Sequence, residues 1–98
     1  MTCFIFSWGS RTESSRLIDR QDILDGLDKM PEISNWRAST GVIFFVSSED
    51  MFRLSDKIHA RFPDLLFMIT PIRVSSAAGW TDRETWAFIR AETRYGGG

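Results

Sequence analysis

The chain has 98 residues, 43% of them apolar and 13% aromatic, with a formal charge of −1. This excludes a disordered chain, which would lack the apolar content to collapse, and the lone Cys3 excludes an internal disulfide scaffold. No apolar run approaches the roughly 18 residues of a transmembrane helix, and a near-neutral chain carries no global field to gather nucleic acid.

Residues Thr2 to Trp8 form a short apolar and aromatic run bounded by Gly9-Ser10, which predicts a first strand. The run has no basic leader and does not read as a signal peptide, so the expected compartment is the cytosol. Arg11 to Ser15 is polar and reads as a loop. From Ser15 to Met30, Leu17, Leu24, Leu27 and either Ile23 or Met30 recur at helical steps, and Pro31 stops the helix. Glu32 to Ser39 alternates weakly, with Ser34, Trp36 and Ala38 opposing Ile33, Asn35 and Arg37. This is an edge-strand pattern in which Arg37 blunts the edge.

Ser39-Thr40-Gly41 supplies a turn into Val42 to Val46, the strongest strand signal in the chain. Ser47 or Ser48 is the expected cap of a second helix whose stripe is Met51, Leu54, Ile58 and Phe62. Pro63 and Asp64 close it. Leu65 to Ile69 reads as a further buried strand, continued past Pro71 by Ile72 to Val74. After a loop at Ser75 to Gly79, Thr81-Asp-Arg-Glu84 reads as a capping box for a short last helix carrying Trp86 and Ile89. Tyr95 and Gly96 to Gly98 form a tail. Although three terminal glycines resemble a conjugated ubiquitin-like tail, the order of elements does not fit that family.

The order β-α-β-β-α-β predicts a single α+β domain over 1–98, of ferredoxin-like architecture, with a core at 2–74, a C-terminal segment at 75–95 and a tail at 96–98. Strands one and three are expected at the centre, with both helices on one face of an antiparallel sheet. The other face is ordinarily polar. Here Phe4, Phe6 and Trp8 oppose Cys3 and Ile5, Val42, Phe44 and Val46 oppose Ile43 and Phe45, and Leu65, Phe67 and Ile69 oppose Leu66 and Met68. Both faces are apolar, so the second face needs a cover. The candidates are the C-terminal segment or a second copy of the chain, and Phe4, Phe6, Trp8, Phe44, Trp80 and Trp86 are the candidate interface residues.

Other constellations carry little chemistry. Asp19, Asp22, Asp25 and Asp28 recur every third residue and fan around a helix, which suits a solvated face better than a metal site. With His59 as the single histidine, zinc sites built on several His or Cys ligands are excluded. A Cys3–His59 nucleophile pair is conceivable, but a buried thiol and a surface histidine account for both residues. Gly41 to Val46 and Ile5-Phe6 loosely echo the aromatic motifs with which RNA-recognition modules stack bases, without the basic residues those motifs carry. No catalytic, cofactor or metal residue is assigned.

Trp36-Arg-Ala-Ser-Thr-Gly-Val-Ile-Phe-Phe-Val46, and Ala78-Gly-Trp-Thr-Asp-Arg-Glu-Thr-Trp86 after the fourth strand, resemble the small CRISPR-associated nuclease and integration-subunit family and its SinR-like relatives. The resemblance spans residues 30 to 90 and implies a dimeric ferredoxin-like domain. In the nucleases, it further implies an aspartate ending the first strand to hold magnesium across the dimer. This chain has Ser7, Trp8 and Gly9 there, and Asp64 and Glu13 are the carboxylates that can be named near the expected two-fold axis. The expectation is a non-catalytic domain acting by self-association or by binding a partner protein. A metal-dependent nuclease or toxin-like protein and a single-stranded RNA-binding module are the alternatives.

Overall fold

A computed structural model describes residues 1–9, 19–39, 41–73, 78–79 and 82–95. Within them lie four strands, β1 (Thr2–Trp8), β2 (Asn35–Ala38), β3 (Ile43–Ser47) and β4 (Phe67–Ile72), and three helices, α1 (Arg20–Asp28), α2 (Met51–Arg61) and α3 (Arg83–Tyr95). The strands form one sheet in the order β2-β3-β1-β4, antiparallel at every pairing. As expected, the strands with the most continuous apolar runs, β1 and β3, are central.

Period-two alternation divides the sheet into two faces. Phe4 pairs with Phe45 and Pro71, and Phe6 with Ile43 and Ile69, so these side chains share one face. They join Ile23 and Leu27 of α1 and Leu54 and Ile58 of α2 in the larger core, with Trp8, Trp36, Phe62 and Phe67 packed around it. The ring of Phe6 stacks on Phe67 with centroids 5.6 Å apart. Gly26 lies buried in α1, where a Cβ would overlap the ring of Phe62, so the missing side chain lets α2's C-terminal ring seat on α1.

Several boundaries differ from the sequence reading, each for a local reason. The first helix begins at Asp19, whose carboxylate accepts the Gln21 N–H, and the expected turn from Ser15 to Ile18 lies outside the described residues. Ser47 and Ser48 do not cap α2. Asp50 does, accepting from the Phe52 and Arg53 N–H groups, while Ser47 Oγ accepts from Glu49 N one turn earlier. The cap of α3 is Asp82, whose Oδ2 accepts the Thr85 N–H at 3.0 Å, and the helix, expected to be short, runs for 13 residues. The expected cap Thr81 lies outside the described residues, as does Val74. Finally, β4 is not a strand buried on both faces: Leu66 is 48% and Met68 65% exposed. The cause is its edge position on the face that α3 covers, where the α3 side chains pack on β1 and β3 and leave Leu66 and Met68 open.

Candidate functional site: the second face of the sheet

The second face carries Cys3 and Ile5 of β1, Phe44 and Val46 of β3, Arg37 of β2 and Ile72 of β4. Across it lies α3. Ile89, fully buried, packs with Cys3, Phe44 and Val46, and Trp86, Phe88, Ile5, Val42 and Ile72 close around them. The C-terminal segment therefore supplies a cover for this face, one of the two covers the apolar pattern demanded.

A polar clamp fixes the start of α3. Thr85 is fully buried, donates its hydroxyl to Asp82 Oδ1 at 2.7 Å, and accepts from Arg37 Nε at 2.9 Å. Arg37 Nη2 meets Asp82 Oδ2 at 2.5 Å. The Thr85 hydroxyl, then the Arg37 guanidinium, hold the Asp82 carboxyl well below the usual carboxylate range. Arg37 thus spans the sheet face to α3 instead of standing as a free edge charge. The sequence placed Arg37 on an edge strand but could not name its partners, which lie 45 and 48 positions away, where no local pattern reaches.

The cover is partial. On the β4 side of the same face, Leu66 and Met68 stay exposed, with Thr70 exposed beside them and Ile5 and Ile72 half-buried. Two shallow clefts flank the clamp. One of about 600 Å³ runs between β2 and α3, lined by Asn35, Trp36, Glu84 and Phe88 among others. The second, of about 460 Å³, lies beside the end of β1 and takes in Trp8, Arg20, Ser39, Gly41 and Asp82. Asp82 lines this second cleft together with Trp8, and its two oxygens are occupied by Thr85 and Arg37. Its chemistry is that of an anchor.

The six candidate interface residues do not make one surface. Phe4 and Phe6 are buried beneath α1 and α2, and half-buried Trp8 lies with them. Phe44 sits on the opposite face under α3, where Trp86 packs beside it, and Trp80 lies outside the described residues. Fully buried Phe6 and 7% exposed Phe44 present no ring face on which a base could stack. Cys3 is buried on the α3 face whereas His59 is exposed on α2 across the sheet, so the two are not brought together.

Of the acidic quartet, Asp19 caps α1, Asp25 accepts from Gln21 Nε2, and Asp28 accepts from Trp36 Nε1 at 3.0 Å. Among the described residues no three His, Cys, Asp or Glu side chains gather where they could hold a metal ion. Half-buried Asp64 lies between α2 and β4, and Glu13 is outside the described residues. No described helix is long and apolar enough to cross a membrane. Compared with known family models, with characterised proteins and with solved structures, the chain matches none.

Proposed function

We propose that this chain is a ferredoxin-like domain that acts in the cytosol, without catalysis, by associating with a second copy of itself. The sheet order, read from the other edge as β4-β1-β3-β2, supports the ferredoxin-like reading, and so does the placing of α1 and α2 on one face. Kinship with SinR-like and CRISPR-associated subunits rests on the two tryptophan-bearing stretches at 36–46 and 78–86. The observation that carries self-association is the exposed apolar pair Leu66 and Met68, 48% and 65% exposed, on a strand at the sheet's edge. Large apolar side chains grouped on an edge strand mark a surface that meets protein.

The test is the mass in solution at micromolar concentration, by light scattering coupled to size exclusion. The expected value is twice the 11.3 kDa of the chain. A single species at 11.3 kDa would overturn the reading.

A further inference from the structure

The sheet has two edges, and they are finished differently. At β2, Arg37 is drawn across the face to Asp82 and Thr85, the Trp36 N–H is taken by the side chain of its neighbour Asn35 at 2.9 Å, and Trp36 Nε1 is held by Asp28. These are the usual devices by which an edge is kept from pairing. Among the described residues β4 carries one such device, Pro71 near its far end, and none over Phe67 to Thr70. The run Leu65-Leu-Phe-Met-Ile-Thr-Pro-Ile72 contains no charged residue. It is apolar towards both faces: Phe67 and Ile69 pack on the larger core, and Leu66 and Met68 look out from the other face.

The register fixes which backbone groups this edge offers. Gly9 N donates to Leu66 O at 2.9 Å, in line with the pairs Ser7–Met68, Ile5–Thr70 and Cys3–Ile72. In an antiparallel ladder, hydrogen-bonded and non-bonded pairs alternate. Leu66, Met68, Thr70 and Ile72 therefore spend their backbone groups on β1, and those of Phe67, Ile69 and Pro71 point outward. Pro71 has no N–H to give and stands opposite Phe4 in a non-bonded pair, so it costs the ladder nothing. The outward donors of β4 are Phe67 and Ile69. Leu65, the next candidate down the chain, already donates to Phe62 O at 3.1 Å.

From this, and resting on the self-association reading above, we infer that two copies join edge to edge along β4, with the two-fold axis at Met68. A two-fold interface must be self-complementary. An axis at Met68 sets Phe67 against the partner's Ile69, and each N–H and C=O of those residues meets its counterpart. An axis at Ile69 would instead set the Phe67 carbonyl against the partner's Pro71, which has no donor. An axis at Phe67 would set the Ile69 carbonyl against the partner's Leu65, whose N–H is already spent. The Met68 axis also brings the most exposed apolar side chain of the strand onto its own copy, in a non-bonded pair where side chains approach closest. The product is one continuous sheet across both subunits.

The experiment uses single substitutions in the full chain. In Met68→Cys, the two introduced thiols face each other across the axis at a spacing a disulfide can span. Mild oxidation is expected to give a covalent dimer on a non-reducing gel, while buried Cys3 stays silent. In Thr70→Cys, the thiols lie on opposite sides of the axis, and no covalent dimer is expected. Met68→Lys, at an exposed position that folding tolerates, sets two like charges on the axis, and the mass is expected to fall to 11.3 kDa with unchanged circular dichroism. A doubled mass that survives Met68→Lys, or Thr70→Cys cross-linking as readily as Met68→Cys, overturns the β4 axis while leaving self-association standing. A wild-type mass of 11.3 kDa overturns both.

Discussion

At the scale of single residues, Gly26 shows how a position can be right in period and unexplained in identity. Its place in the helical stretch from Ser15 to Met30 was legible, but the reason for glycine there comes from Phe62, at the far end of another helix. Ala favours a helix over Gly by about 1 kcal/mol, whereas forcing a methyl against a seated ring costs about 1–3 kcal/mol. Overlap with the ring is severe enough for the second effect to win. Gly26→Ala is therefore expected to lower stability by about 1 kcal/mol in urea unfolding. In a Phe62→Ala background the same change becomes stabilising by up to about 1 kcal/mol, because only helix propensity remains. If Gly26→Ala cost the same in both backgrounds, the ring contact would not be what selects glycine.

Among the elements, α3 was the most instructive. The Thr81-Asp-Arg-Glu84 stretch located its start to within a residue, and Trp86 and Ile89 correctly marked its buried stripe. That the C-terminal segment could cover the second face was legible, but the clamp that seats α3 there was not, because Arg37, Thr85 and Asp82 find one another only after the sheet has formed. The cap itself has a pH signature. The folded Asp82 carboxyl ionises below its ordinary value of 3.8, held there first by the Thr85 hydroxyl and then by Arg37. A group depressed in the folded state adds stability in full above its unfolded pKa, and loses it as pH falls through the folded value. The contribution of Asp82 is thus complete above about pH 4 and fades in stronger acid. Asp82→Asn keeps an oxygen for the Thr85 N–H but removes the charge that Arg37 meets. Urea midpoints of wild type and Asp82→Asn are expected to stand apart near neutrality and to converge as pH drops below about 4. A gap that stays constant down the acid limb would show that the ionised carboxylate is not what holds the clamp.

For the whole molecule, thirteen aromatic rings and two apolar sheet faces foretold two covers, and the strand order followed from which runs were most apolar. How far the second cover extends was beyond the sequence, since α3 must be placed before the open β4 margin can be seen. The sheet is consequently held between two layers: α1 and α2 lie inside the chain's crossovers and pack on the larger core, while α3 comes after β4 and covers the smaller cluster alone. Such a layer can open without the rest unfolding. Cys3, fully buried under Ile89, reports that opening through the reactivity of its thiol. Ile89→Ala and Leu54→Ala each remove a fully buried side chain and each cost about 2–5 kcal/mol. Only the first weakens the layer over Cys3. Under native conditions, thiol labelling is expected to accelerate in Ile89→Ala by more than about tenfold relative to Leu54→Ala of matched global stability. Equal labelling rates would mean that α3 and the core open as one unit. In that case the second face would be guarded by the stability of the whole domain rather than by the clamp at Asp82.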